Sequence, residues 1–127
     1  MITKASYAPT NSLIVISGVG KIDAPDWIRD AQVVATKSCI LCASFPEIDG
    51  ETEILFSNVS EVGRDDEPVF DGLLEMRSHD LSLRTVEGDP IITATMPSRI
   101  VGIRIWLSHP VWPELVTVGW YMPADQR

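Results

Sequence analysis

Histidine and cysteine each occur only twice in 127 residues, and this scarcity removes much of the common catalytic and metal-binding chemistry at the outset. A structural zinc site needs four ligands. Cys39-Ile-Leu-Cys42 has the spacing of half such a site, but His79 and His109 each stand alone in the chain. In a strand, residues three apart point to opposite faces, so the two thiols do not converge on one ion. A redox pair would need a helix opening after its first cysteine, and nothing here caps one. Both cysteines are therefore expected to be reduced, buried and apolar in behaviour. No Gly-x-Ser-x-Gly elbow is present. Gly20-Lys21 has the end of a phosphate loop, but Val15 occupies the first glycine position and Ile22 follows the lysine. The 18 acidic residues leave a paired-carboxylate hydrolase formally open, yet no pair is singled out. The expectation is a protein that is not an enzyme and takes no cofactor and no metal.

Basic residues are also few, 10 Lys+Arg against 18 Asp+Glu for a net charge of -8. The excess is local. Glu47 to Asp89 holds 13 acids and only Arg64, Arg77 and Arg84 as bases, a balance of -10, so the rest of the chain is +2. Such a surface repels nucleic acid and anionic lipid and favours a basic protein partner. Long hydrophobic runs are missing too, since none approaches the roughly 18 to 20 apolar residues of a membrane span. MITKASYAPTNS lacks the apolar core of a signal peptide, and LIVISGVG is short for one. These points predict a soluble, cytoplasmic protein, in which the Asn58-Val59-Ser60 glycosylation pattern is a chance match.

What the chain does have is alternation. Leu81, Leu83, Thr85 and then Val101, Ile103, Ile105, Leu107 place a residue for the buried face at every second position, the mark of strands with one buried side. Strands are predicted over 12–17, 38–44, 51–59, 69–77, 81–86, 91–96, 99–107 and 115–122, separated by turn residues such as Gly88-Asp-Pro90 and His109-Pro-Val-Trp-Pro113. Asp49-Gly50 reads as a hairpin turn. Residues 1–10 read as a loose lead-in. Asp23, Pro25 and Asp26 form a helix-start signature, predicting one short helix over Asp26–Ala35 with Trp27 as the anchor that docks it on the sheet. Trp106 and Trp120 are placed between sheets, and Trp112, flanked by prolines, at the surface. With 45% hydrophobic and 22% charged residues, the result is a single all-β domain over residues 1–127, an antiparallel two-sheet β-sandwich of about eight strands.

Two patches resemble the competence protein J family, intracellular inhibitors of a DNA-entry nuclease. One is a strand and turn leading to an Asp-Trp pair, Leu13-Ile-Val-Ile16 followed by Asp26-Trp27. The other is Ile92-Thr-Ala-Thr-Met96, then Pro97-Ser98-Arg99 and the long alternating strand Ile100 to Leu107. The resemblance implies a binding protein, an inhibitor or immunity protein whose partner is a nuclease or nuclease-like toxin; it transfers no functional residue.

Charge leads to the same class of partner by a separate route. A nuclease cleft must hold phosphates and is lined with Lys and Arg, so an acidic loop on a rigid sheet can enter it and be steered there. The residues assigned to partner binding are Asp65, Asp66 and Glu67 in the loop 60–68, Asp71 just beyond it, and the turn bearing Glu47, Asp49 and Glu51, with Phe70 and Ile48 as apolar anchors. Calcium binding by these carboxylates is left open, although the ordered spacing of a helical calcium loop is lacking. The alternative is a sugar- or small-ligand-binding sandwich using Trp112, and it gains if a second Trp or Tyr shares one open groove with it.

Overall fold

The computed structural model describes residues 2–9, 12–20 and 22–123. Among these, ten strands form two sheets: β1 Thr3–Tyr7, β2 Leu13–Gly18, β3 Val33–Ala35, β4 Cys39–Ala43, β5 Thr52–Asn58, β6 Phe70–Glu75, β7 Asp80–Arg84, β8 Pro90–Thr95, β9 Ile100–Leu107 and β10 Leu115–Tyr121. Sheet A has the order β1-β5-β10-β9-β6 and sheet B the order β3-β4-β2-β7-β8. Every pairing is antiparallel except β5 with β10, which is parallel. The fold is all-β, with no helix among the described residues long and apolar enough to cross a membrane.

The alternating positions build the core. Ile54, Phe56, Leu74, Val101, Ile103, Ile105, Val116 and Val118 from sheet A meet Ile14, Ile16, Ile40, Cys42, Leu81, Leu83 and Ile92 from sheet B in one cluster. Most of these are fully buried, and each such side chain contributes about 1.5–3 kcal/mol of hydrophobic stabilisation. Cys42 pairs with Ile14 and faces this core, while Cys39 pairs with Ser17 on the outer face of sheet B. Burial pushes the Cys42 thiol up to about 12. The Cys39 thiol is also raised by burial, with Arg84 acting in the opposite direction.

Several expectations are corrected. No helix forms over Asp26–Ala35: residues 22–28 are irregular, a turn follows at Arg29 and Asp30, and Val33–Ala35 is the edge strand β3. Val33 and Val34 are β-branched and suit a strand, and pairing with β4 outweighs the local capping signal. Asp23 serves instead as a tie to the β3–β4 turn, its N–H donating to Ser38 Oγ (2.9 Å) and its carbonyl accepting from Thr36 Oγ1. Trp27 is accordingly a half-exposed loop residue and not a docking anchor.

The one α-helix among the described residues, α1, is a single turn at Val59–Val62, where the predicted strand 51–59 was expected to pass into the loop 60–68. The Asn58 side chain caps it by accepting from Ser60 N (2.9 Å), and Gly63 ends it at φ +69°. The lead-in contains β1, which pairs with β5 despite carrying only Ala5 as an apolar contact to the core. Asp49-Gly50 is not a hairpin turn. Asp49 closes a 3-10 turn at Glu47–Asp49 and Gly50, at φ +138°, follows it, on the way from β4 in sheet B to β5 in sheet A. Trp106 is buried, but on the outer face of sheet A rather than between the sheets.

Candidate interaction surface

Strand polarity decides which loops meet. β6 starts opposite the end of β9, where Phe70 pairs with Ile105; β10 starts where Val116 pairs with Leu107; and β5 starts beside it, where Glu53 pairs with Leu115. The segments leading into β5, β10 and β6 therefore share one end of sheet A. At a spacing of about 4.8 Å per strand, β5 and β6 are about 14 Å apart there, with β9 and β10 between them. The acidic turn before β5, the 108–114 loop and the acidic loop before β6 thus form one row.

The predicted carboxylates divide into two groups along that row. Asp66 is occupied within the protein: Arg64 donates to both of its carboxylate oxygens, Nε at 2.7 Å and Nη2 at 2.6 Å. That bidentate pair holds its carboxyl below the usual range. The Asp66 carbonyl accepts from Trp106 Nε1 (3.0 Å), and the Arg64 guanidinium stands 5.8 Å from the Trp106 ring. The loop is in this way clamped over the indole on the outer face of sheet A. Asp71 is similarly engaged, accepting from Arg104 Nε (3.0 Å) and from the Tyr121 hydroxyl (2.5 Å). The Arg104 guanidinium lies 4.5 Å from the Tyr121 ring centre. Burial and the Asp71 carboxylate push Tyr121 up to about 12.

Asp65, Glu67, Asp49 and Glu51 are exposed. Glu47 lies in the 3-10 turn, but its side chain lies outside the described residues. Phe70 faces inward and packs against the core, so it is not a free anchor, whereas Ile48 is 91% exposed.

The same end of the sandwich carries apolar side chains that patterning along strands does not reveal. Trp112 is 59% exposed, Val111 59%, Ile28 65% and Trp27 38%. Trp27 and Trp112 line one open cleft of about 370 Å³, floored by the start of β2 and the end of β4 and flanked by Pro46 and Asp30. The local sequence signal for this cleft was its prolines: Pro25, Pro46, Pro110 and Pro113 punctuate each of the contributing loops. A second cleft of about 320 Å³ lies at the opposite end, where Lys37 and Arg77 stand among Asp23 and Glu75. That end is stitched across the sheets by Glu75 N–H donating to Lys37 O (2.7 Å). Among the described residues, no group of three or more His, Cys, Asp or Glu side chains is arranged to hold a metal ion.

No family model matches the chain, and no curated protein matches it in sequence. Among solved structures it is similar to ComJ from Bacillus subtilis, an inhibitor of the DNA-degrading activity of NucA. The likeness has a TM-score of 0.67 and covers 94% of this chain and 97% of that one, at 13% sequence identity. The two proteins share a fold across almost their whole lengths.

Proposed function

We propose that this chain is a non-enzymatic, cytoplasmic inhibitor or immunity protein that binds a nuclease or nuclease-like toxin and masks its basic active-site cleft. The observation that carries this reading is the convergence at one end of the sandwich of exposed carboxylates, Asp49, Glu51, Asp65 and Glu67, with exposed Ile48, Val111 and Trp112. Apolar anchors ringed by charge are what a specific protein interface requires: the anchors supply affinity, and the charges supply steering and selectivity. The fold shared with an inhibitor of a DNA-degrading enzyme supports the same class of partner. Asp66 and Asp71 act here as internal braces that hold the acidic loop, leaving Asp65 and Glu67 to face the partner.

The test uses a nuclease from the native host, captured on the immobilised protein and then purified. Wild-type protein is expected to suppress its cleavage of DNA stoichiometrically. The fourfold change Asp49→Asn, Glu51→Gln, Asp65→Asn, Glu67→Gln is expected to slow association about tenfold or more at low salt and to flatten the salt dependence. A captured enzyme whose DNA cleavage is untouched, or association that ignores both charge and salt, defeats the reading.

A second reading has an observation of its own. Trp27 and Trp112 share one open cleft, which is the arrangement expected of a sugar- or small-ligand-binding sandwich. Glycan binding that quenches these indoles while the nuclease goes uninhibited would establish that reading instead.

A further inference from the structure

The cleft between Trp27 and Trp112 is built from segments far apart in sequence and is fastened before any ligand arrives. On one wall, Ala31 N–H closes a turn on Ile28 O (3.0 Å). Within that turn Asp30 adopts φ +66°, a left-handed conformation that few side chains occupy. On the other wall, His109 Nδ1 accepts from the backbone N–H groups of Val111 (3.1 Å) and Trp112 (3.0 Å). The imidazole lies nearly parallel to the Trp112 indole, at 8° with ring centres 6.2 Å apart. Gln32 Nε2 joins the two walls by donating to Pro110 O (3.2 Å).

Among the described residues, Asp30 is the one charged residue lining this cleft, and its carboxylate accepts no hydrogen bond or ion pair from them. The carboxylates next in line along the rim, Asp49, Glu51 and Glu114, are exposed as well. Arg29 precedes Asp30 in the chain but does not line the cleft. Two indoles beside an unpaired carboxylate are complementary to a planar cation with a weakly hydrated face, which describes guanidinium better than ammonium. A sugar would also draw on side-chain amide or guanidinium donors, and the described lining residues include neither.

We propose that the Trp27–Trp112 cleft is a receptor for an arginine side chain presented by the partner protein, with the indoles as walls and Asp30 as counter-ion. The identity of the partner rests on the inhibitory reading above; the chemistry of the cleft does not. In the complex, this one arginine would be drawn out of the partner's basic surface and held between the indoles.

The experiment follows the indole N–H resonances of the full-length protein during titration with the capped peptide acetyl-Gly-Arg-Gly-amide. Its citrulline counterpart and a neutral disaccharide serve as comparisons. Trp106, whose N–H is already committed to Asp66 O, is the internal reference. The arginine peptide is expected to move Trp27 and Trp112 but not Trp106, and to bind at least about fivefold tighter than citrulline. Asp30→Asn keeps the backbone conformation, because Asn tolerates a positive φ, and is expected to lose about fivefold. Trp112→Ala, at an exposed loop position, is expected to abolish the Trp27 shift. Equal response to arginine and citrulline, a response to the disaccharide alone, or no response at all overturns the proposal.

The nuclease assay then separates the two ideas. Full inhibition by both Asp30→Asn and Trp112→Ala would overturn the arginine receptor and leave the inhibitory reading standing. Arginine-selective binding without any nuclease inhibition would do the reverse.

Discussion

A single methyl group at Gly102 is expected to be among the most damaging small changes in this protein. Gly102 lies in β9 opposite Tyr121 of β10, and the Tyr121 ring occupies the space a side chain would need. A Cβ there would stand 2.0 Å from Cζ of the ring and 2.2 and 2.4 Å from the two Cε atoms. The Gly102 φ lies outside the region that favours glycine, so Gly102→Ala is a purely spatial perturbation. Relief requires the ring to swing off the strand. Overpacking of this kind costs about 1–3 kcal/mol. The swing also breaks the 2.5 Å hydrogen bond from the hydroxyl to Asp71 and the stacking of Arg104 on the ring. A hydrogen bond to a carboxylate contributes about 1.5–3 kcal/mol, but Asp71 is 42% exposed, so about 1 kcal/mol survives solvent screening. The total is about 2–4 kcal/mol, a large share of the roughly 5–15 kcal/mol that stabilises a domain. Urea unfolding followed by tryptophan fluorescence should show the midpoint falling at constant slope. In a Tyr121→Ala background the added methyl should cost under about 0.5 kcal/mol, because the obstacle is gone. A Gly102→Ala protein within about 0.5 kcal/mol of wild type, or the same loss in both backgrounds, refutes the packing argument.

Two further outcomes follow from the protonation states. Tyr121 is pushed from its ordinary value of 10 up to about 12, so its contribution is intact below pH 10 and is lost as pH rises through 12, when the unfolded chain ionises first. Screening near the surface limits the drop to about 1–2 kcal/mol; pH-dependent unfolding should record it in wild type and lose it in Tyr121→Phe, and a flat profile in both refutes it. Cys42, in the core and pushed up to about 12, should resist a thiol reagent at pH 8 in the native protein and react only on global unfolding; fast labelling without denaturant would show the core to be open.

The strands that face one sheet toward the other were legible because burial on one side imposes a period of two. Val101, Ile103, Ile105 and Leu107 announce β9, and the same holds for β7 and β10. The errors fall where that constraint is absent. β1 buries little beyond Ala5 and owes its existence to the free edge of β5, which no pattern within Thr3–Tyr7 can encode. The capping signal at Asp23–Asp26 was locally sound but lost to pairing between β3 and β4, a contact settled elsewhere in the chain. For the candidate site, the acidic clustering was visible, whereas its division was not. Asp66 and Asp71 are taken up by Arg64, Arg104 and Tyr121, and Tyr121 lies 50 residues from Asp71. The Trp27–Trp112 cleft unites loops 85 residues apart in sequence numbering, which only strand polarity brings to the same end.

The parallel pairing of β5 with β10 has a further consequence for how the chain is made. Among the described residues β10 is the last strand in chain order, yet it sits at the centre of sheet A, with β1-β5 on one side and β9-β6 on the other. During synthesis the two flanking pairs emerge first and have no contact through the middle of their sheet. Each exposes an open edge, β5 on one and β9 on the other, and such edges invite pairing with other chains. Closing the sheet also brings together segments far apart in the chain, which makes folding slow. Nascent chains stopped before Leu115 should therefore gain neither the core nor the candidate interaction surface, and both should form in one step as β10 threads between its neighbours.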